Sequence, residues 1–338
     1  MLDSDISCLK GKYQTKRVLQ KKHFVKNISE TGVSVIIPAK NESKNIATCI
    51  DSIIKQDFIG FLEIIVVDNC STDNTVQIAK TKGVQVLVTN ANSPAGVRNY
   101  GSKKAKYEIL AFIDGDCEAP TDWISRSVSA LKSDDRIGAC GGPYRSPTSA
   151  NWIVKSWSPV SRLEGKIKNK LLPGGNIIVW KSIFEKIDGF DEGLITAEDD
   201  DFCHSLTCAG YDIEYDLSRA VIHYGYPDSF KTVFKKSIWH GTTQIKAHGF
   251  FGDKLVILTW VWILNFIMIS VFLLLHWEDV FIIALSSFLI APLFLTYIRL
   301  KRCPLIYKAK YFISSYVVCF AVLIGRSLGM IRELRRRS

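Results

Sequence analysis

Nine cysteines occur in the 338 residues, and no two of them form a CxxC pair. That absence removes the usual ligand spacing of a structural zinc site and of a dithiol redox centre. Cys203, His204 and Cys208 come nearest, and their spacing within one helical stretch reads as buried thiols. Scattered thiols in a chain of this size fit a reducing compartment rather than a disulfide framework. No GxGxxG follows the first apolar run and no GxxxxGK[ST] occurs, so the dinucleotide fingerprint and the Walker phosphate loop are both missing. The N-terminus carries basic residues with no apolar core behind them, which is not the pattern of a secretory signal.

What is present is unevenly spread. Hydrophobic residues make up 47% of the chain, with the excess after Lys254, and the net charge is +10. The charge collects in an N-terminal segment (Lys10 to Lys26), in a loop from Arg299 to Lys310 and in the tail from Arg332 to Arg337. These clusters precede the globular part or flank apolar runs, which suits an anionic membrane surface better than nucleic acid. Residues 255–275 and 280–298 are apolar runs of about twenty residues, enough to span a bilayer. An acidic turn, 276–279, joins them, and a basic loop follows. The positive-inside tendency then places the globular part in the cytoplasm. A third apolar stretch, 311–330, is interrupted by Arg326 and followed by the basic tail. It reads as an embedded or interfacial helix that does not fully cross.

Ahead of these runs, short apolar strands alternate with helices. Strands are expected over 33–38, 63–68, 84–88 and 108–114. Helices are expected over 43–55, with Ile46, Ile50, Ile53 and Ile54 on one face, after the STDNT run, and over 93–104. Beyond Gly142 the pattern loosens, with 151–172 read as an excursion over the sheet edge. A strand returns over 173–180, and TAEDDD opens a helix reaching about 210. Such alternation implies a mainly parallel sheet covered on both faces.

Three strand ends carry polar groups: Lys40-Asn41-Glu42, Asp68-Asn69, and Asp114 with Asp116. They should gather along the sheet edge where open α/β folds bind ligands. Two carboxylates one residue apart suit a hard divalent cation that holds a diphosphate, or simply a solvated acidic turn. The run Glu198–Asp201 suits a general base, or simply an acidic helix start favoured by the helix dipole.

Six segments stand in order: VSVIIPAKNES, EIIVVDNCSTDNT, AGVRNYG, AFIDGDCEAP, PGGNIIVWKSIFEKIDGFDE and TAEDDDFCHSLTCAGYDI. Together, over about 33–241, they resemble the family 2 inverting glycosyltransferases of the GT-A fold. The resemblance implies an α/β, Rossmann-like nucleotide-diphospho-sugar transferase domain followed by C-terminal transmembrane helices. It divides the chain into a basic extension (1–31), a catalytic domain (32–228), a juxtamembrane amphipathic segment (229–253) and a membrane region (254–338). The implied reaction moves a hexosyl or N-acetylhexosaminyl group, with inversion, from a UDP-linked donor to a hydroxyl of a lipid-linked saccharide or growing polysaccharide.

The same resemblance implies residue roles. Pro38, Lys40, Glu42, Asp68, Arg98, Asp114 and Asp116 would bind the donor, with Asp68 accepting from the base and Glu42 near the ribose. Asp116, Asp114 and His223 would hold Mg²⁺ or Mn²⁺. Asp199 would be the base, with Gly174, Gly175, Asn176, Glu198, Asp200 and Trp239 on the acceptor side. One departure is plain: where many processive members carry QxxRW, this chain has Lys235-Lys236-Ser237-Ile238-Trp239, and only the tryptophan matches. A distributive enzyme at the cytoplasmic membrane, near polysaccharide-export machinery, fits better than a processive synthase. A polyprenyl-phosphate glycosyltransferase and a catalytically silent scaffold of an export complex are the alternatives; no nucleic-acid partner is expected.

Overall fold

The computed structural model describes residues 30–158, 166–168, 171–194, 196–248, 254–276, 278–301, 303 and 305–337. Most of the basic N-terminal extension and the end of the 229–253 segment lie outside the described residues. The chain divides into two compact units, Met1–Tyr144 with Glu164–His223, and Arg145–Leu163 with Tyr224–Ser338.

The first unit begins as the alternation predicts. β1 (Gly32–Ala39), α1 (Ile46–Ile54), β2 (Phe61–Asp68), α2 (Thr75–Thr81), β3 (Gln85–Val88), α3 (Pro94–Lys104) and β4 (Ile109–Ile113) follow in turn. Then come β5 (Cys117–Glu118), α4 (Trp123–Ser133), β6 (Ile137–Gly141), β7 (Tyr144–Arg145) and α5 (Trp152–Trp157), the last in the second unit. β8 (Lys166–Lys168), β9 (Asn176–Trp180), α6 (Lys181–Lys186), α7 (Glu198–Cys208), β10 (Asp212–Asp216) and β11 (Val221–His223) complete the unit.

Eight strands form one sheet in the order β3-β2-β1-β4-β9-β6-β10-β8. β1 pairs parallel with β2 and β4, β2 pairs parallel with β3, and β9 runs antiparallel between β4 and β6. Helices cover both faces, which is why β4 and β9 are buried at every position. On α1 the buried face is Ile46, Cys49, Ile50 and Ile53, the i, i+3, i+4, i+7 stripe. Ile54 does not join it: at the helix end it is 53% exposed, and Cys49 takes the place expected for it.

Two differences from the sequence reading concern pattern strength. α4 and β6 were not foreseen, although Trp123, Ile124, Val128 and Leu131 of α4 are all buried at helical spacing. The 151–172 stretch is also more regular than expected: it contains α5 and β8, and β8 pairs antiparallel with β10.

The second unit is helical: α5 with α8 (Phe230–His248), α9 (Lys254–Leu274), α10 (Glu278–Leu300) and α11 (Leu305–Arg337). α8 and α11 approach closely because small residues face each other. A Cβ on Gly329 would lie 2.2 Å from the Ile238 carbonyl oxygen. Trp262 of α9 stacks on Phe288 of α10 at 4.4 Å, and its indole N–H donates to the Phe288 carbonyl at 3.0 Å.

Leu255–Leu274 and Leu305–Arg335 are each long and apolar enough to cross a membrane, with mean hydropathies of 2.4 and 1.7. Leu264, Phe266, Ile267 and Leu274 of α9 point outward, as lipid-facing side chains would. α10 contributes a shorter apolar stretch, Leu285–Leu300. Arg326 does not break the third apolar helix: it is 5% exposed, turned into the protein, and its backbone packs against Gly241 of α8.

Candidate active site

β1 sits where the strand order reverses, with β2 on one side and β4 on the other. Its carboxyl end is therefore the topological switch point of this sheet, the place where open α/β sheets leave a crevice. Half-buried Pro38 and exposed Lys40 stand at that end. Asp68, paired in register with Ala39, is the last residue of β2 and is 2% exposed. Its Oδ2 accepts from the Ser71 N–H at 2.9 Å, while its Oδ1 is buried with no hydrogen-bond partner among the described residues.

The loops after β1, β2 and β3 are tied to one another. Asn41, at φ 58, accepts on Oδ1 from the Thr72 N–H at 2.8 Å and donates its own N–H to Ser71 Oγ at 2.8 Å. Asparagine tolerates the left-handed region better than most side chains. The Glu42 N–H donates to Thr75 Oγ1 at 2.8 Å and the Ser43 N–H to Asp73 Oδ2 at 3.1 Å. Hydrogen bonds from Thr75 and then Ser43 pull the Asp73 carboxyl down to about 2. Asn69 exchanges two hydrogen bonds with the Ala91 backbone, at 3.0 and 3.1 Å. The crevice rim is thus preformed.

Arg98 is not the surface residue its place on α3 allows. It is 5% exposed and forks between two carboxylates, Nη2 to Asp114 Oδ1 at 2.7 Å and Nη1 to Glu198 Oε1 at 2.8 Å. The guanidinium also lies 5.6 Å from the Phe190 ring centroid. Burial works against its charge, but Asp114 and Glu198 keep it protonated. Burial likewise opposes ionisation of Asp114, and Arg98 with the Tyr144 hydroxyl overcomes it, holding that carboxyl below its ordinary range. Glu198 has less support: burial, with neighbouring Asp199, outweighs Arg98 and pushes its carboxyl up.

Antiparallel β9 brings its start against the end of β4, with Asn176 opposite Ile113. The Pro173–Gly175 turn consequently lands on the acids. The Gly175 N–H donates to Tyr144 Oη at 2.8 Å, and the Gly174 N–H to Asp199 Oδ2 at 3.0 Å. A Cβ on Gly175 would stand 2.3 Å from the Asp114 carboxylate. Asp199 Oδ1 accepts from the Asp200 N–H at 3.0 Å. Asp199 lies at the start of α7, where four acids fill the first turn and Ala197 enters at φ 63.

Two acceptor-side expectations change. The Asn176 side chain is fully buried and spent on structure: it accepts from Trp123 Nε1 at 2.9 Å and donates to the Gly142 and Arg219 carbonyls at 3.0 and 2.8 Å. Glu198 is committed to Arg98. Trp239 lies in the second unit, on α8, 44% exposed and edge-on to His240. Asp200 is exposed beside Asp199.

The metal expectation divides in the same way. β11 pairs antiparallel with β5, placing His223 opposite Cys117. His223 Nε2 lies 3.4 Å from Asp116 Oδ2, and ligand atoms of Asp116, Cys117 and His223 lie within 4.8 Å of one another. Burial, then the charges of Asp114 and Asp116, push the Cys117 thiol well up, and a thiolate is a soft donor that suits zinc better than Mn²⁺ or Mg²⁺. A carboxylate with an imidazole, leaving room for phosphate oxygens, fits Mn²⁺ or Mg²⁺. Asp114 lies outside this set: its Oδ1 pairs with Arg98 and its Oδ2 accepts from the Tyr144 hydroxyl at 2.7 Å. Nearby Glu42 is pushed up to about 7 by its burial and by the charge of Asp116.

Tyr144 is the residue that sequence reasoning missed. It lies in the stretch where the periodic pattern fades, and an isolated tyrosine after GGP carries no local signal of its hydrogen bonds.

Residues 34–188 match the model of the family described as Glycosyl transferase family 2. Glycosyltransferase AglE of Haloferax volcanii is 29% identical over 226 residues, covering 64% of this chain and 73% of that protein. The O-antigen chain rhamnosyltransferase RfbN of Salmonella typhimurium is 26% identical over 241 residues, covering 65% and 76%. Among solved structures, mannosyltransferase PcManGT from Pyrobaculum calidifontis, in complex with GDP-Man and Mn²⁺, superposes with a TM-score of 0.52 at 18% identity. That match covers 90% of this chain and 88% of the mannosyltransferase, and it shows a shared fold. Residues 34–188, with their motifs and sheet, therefore form a family 2 glycosyltransferase domain of the GT-A fold.

Proposed function

We propose that the protein transfers a hexosyl or N-acetylhexosaminyl group, with inversion, from a UDP-linked donor to a hydroxyl of a lipid-linked saccharide or growing polysaccharide. The observation that carries this reading is one sheet edge with three carboxylates in three different states. Asp68 keeps a buried, unpartnered oxygen, Asp116 faces His223, and Asp199 is held on the Gly174 amide.

Each state suits one task. A buried acceptor at the end of β2 matches the imide N–H of uracil, and leaving it unpaired is unfavourable until a base arrives. Pro38, Lys40 and Glu42 line the neighbouring strand end for base and ribose. Asp116 and His223 would hold Mn²⁺ or Mg²⁺; the ion neutralises charge that builds on the departing diphosphate. The mannosyltransferase carrying GDP-Man and Mn²⁺ supports a metal on this fold. Asp114 and Arg98 position the site from beneath rather than ligating.

Asp199 takes the proton from the acceptor hydroxyl. Each of its oxygens accepts one backbone N–H, which fixes the carboxylate and leaves a lone pair on each for the hydroxyl. Exposed Asp200 orients the acceptor beside it. The apolar helices of the second unit anchor the enzyme in the membrane with its catalytic domain in the cytoplasm, and Trp239 belongs to the acceptor side.

The test uses the full chain in detergent, with lipid extract as acceptor and Mn²⁺, against a panel of UDP- and GDP-sugars. Nucleoside diphosphate release from a UDP-sugar, abolished in Asp116→Ala and Asp199→Asn, is the expected result. Release from GDP-sugars alone would overturn the base assignment. Consumption of no donor by folded protein, with an acceptor preparation that supports a control transferase, would overturn the transferase reading.

A further inference from the structure

We infer that Tyr144 is a positioning residue that aligns the metal-side and base-side halves of this site. The inference deepens the functional reading above and rests on it. Three contacts carry it. The hydroxyl donates to Asp114 Oδ2 at 2.7 Å and accepts from the Gly175 N–H at 2.8 Å. The ring lies against His223, with centroids 4.7 Å apart and planes inclined by 32°.

These contacts run in two directions. Holding the Gly175 amide fixes the glycine turn, and the next amide in that turn, Gly174, is the donor that holds Asp199. Holding Asp114 fixes the acid that, through Arg98, reaches Glu198 at the start of the same helix. Asp199 is therefore reached from Tyr144 by two routes. The ring, by contrast, limits how the His223 imidazole can turn beside Asp116.

The hydroxyl and the ring thus do separable jobs. Tyr144→Phe removes the hydrogen bonds and keeps the ring; Tyr144→Leu removes both. In steady-state kinetics of the solubilised full chain, Tyr144→Phe should lower kcat by about 10- to 100-fold, the effect expected of a small misplacement. Its donor KM and its Mn²⁺ half-saturation should stay within about threefold of wild type, because neither set of ligands has lost its backing. Tyr144→Leu should in addition weaken Mn²⁺ binding to the donor-free protein by about tenfold, the scale of losing support behind a ligand. That binding is read by electron paramagnetic resonance of free Mn²⁺, without turnover.

Wild-type kcat in Tyr144→Phe would overturn the base-side role. Equal Mn²⁺ affinity in wild type and folded Tyr144→Leu would overturn the metal-side role. Equal losses in kcat, KM, Mn²⁺ affinity and melting temperature in Tyr144→Phe would make the residue merely structural and would overturn the inference. If wild type turns over no donor while Tyr144→Leu still weakens Mn²⁺ binding, the transferase reading fails and the support of His223 by Tyr144 stands.

Discussion

The backbone N–H of Gly174 donates to Oδ2 of Asp199 at 3.0 Å, joining the turn before β9 to the first turn of α7. A carboxylate so held is oriented by a neutral backbone donor rather than by a cation. Asp199→Asn can keep an oxygen for the Gly174 amide but cannot take a proton. Transfer should fall by about 10²- to 10⁴-fold, the usual worth of a general base. UDP affinity measured by calorimetry should stay within about threefold, since the proposed reading gives the donor's base to Asp68 and the metal to Asp116 and His223. A matching loss of UDP affinity would move Asp199 to the donor side.

Arg98 binds Asp114 and Glu198 with side-chain exposures of 5%, 25% and 11% respectively. Arg98→Ala leaves buried Glu198 and half-buried Asp114 without their shared cation. Breaking a buried pair this way costs about 3–5 kcal/mol, far more than the pair contributes over an apolar replacement. The denaturant midpoint should drop accordingly. Arg98→Lys supplies the charge without the fork and can satisfy only one acid well, so it should fall between the two. If Arg98→Ala left the midpoint unchanged, the cluster would have to be open to water.

The sheet and the site edge were legible for one reason: short apolar strands end in acids, and both signals are local. Asp68, Asp114 and Asp116 could be placed at strand ends from the sequence because a parallel sheet lines up its carboxyl ends. Asn176 misled because it follows two glycines, whose signal is close backbone approach; that the neighbouring amide points into the core is a matter of strand register. Arg98 could not be separated from a surface residue, because its partners Asp114 and Glu198 lie 16 and 100 residues away. Tyr144 was invisible for the same reason, its partners Asp114 and Gly175 lying 30 and 31 residues away.

Glu42 gives the site a pH signature. Its carboxyl rises from about 4.5 in the unfolded chain to about 7 in the folded one, through burial and the nearby charge of Asp116. The folded protein therefore holds a proton more tightly. Stability is lost as pH rises from about 4.5 to 7, and the penalty is complete above that window. Partial exposure screens it to roughly 1 kcal/mol. Glu42→Gln should raise the melting temperature of the metal-free protein at pH 8 and leave it unchanged near pH 4. Mn²⁺ should stabilise wild type more than Glu42→Gln at pH 8, since the ion offsets the same crowding of negative charge. Equal melting temperatures at pH 8 would mean Glu42 is ordinary.

Gly175 tests whether the turn must touch the acids. Its added Cβ would meet Asp114 Oδ2 at 2.3 Å and Tyr144 Oη at 2.5 Å, too close for any real contact. Neither neighbour can yield freely: Asp114 is held by Arg98, and Tyr144 donates to Asp114. Gly175→Ala must therefore push the turn away, and with it the Gly174 amide that holds Asp199. Overpacking of this kind costs about 1–3 kcal/mol of stability. The misplacement of the base should lower kcat by about 100-fold. Asp68 lies on another strand, so UDP binding measured by calorimetry in the same variant should survive. Loss of kcat with retained UDP affinity is the expected pattern. Wild-type kcat would show that the turn and the base are not mechanically joined, whatever their hydrogen bond.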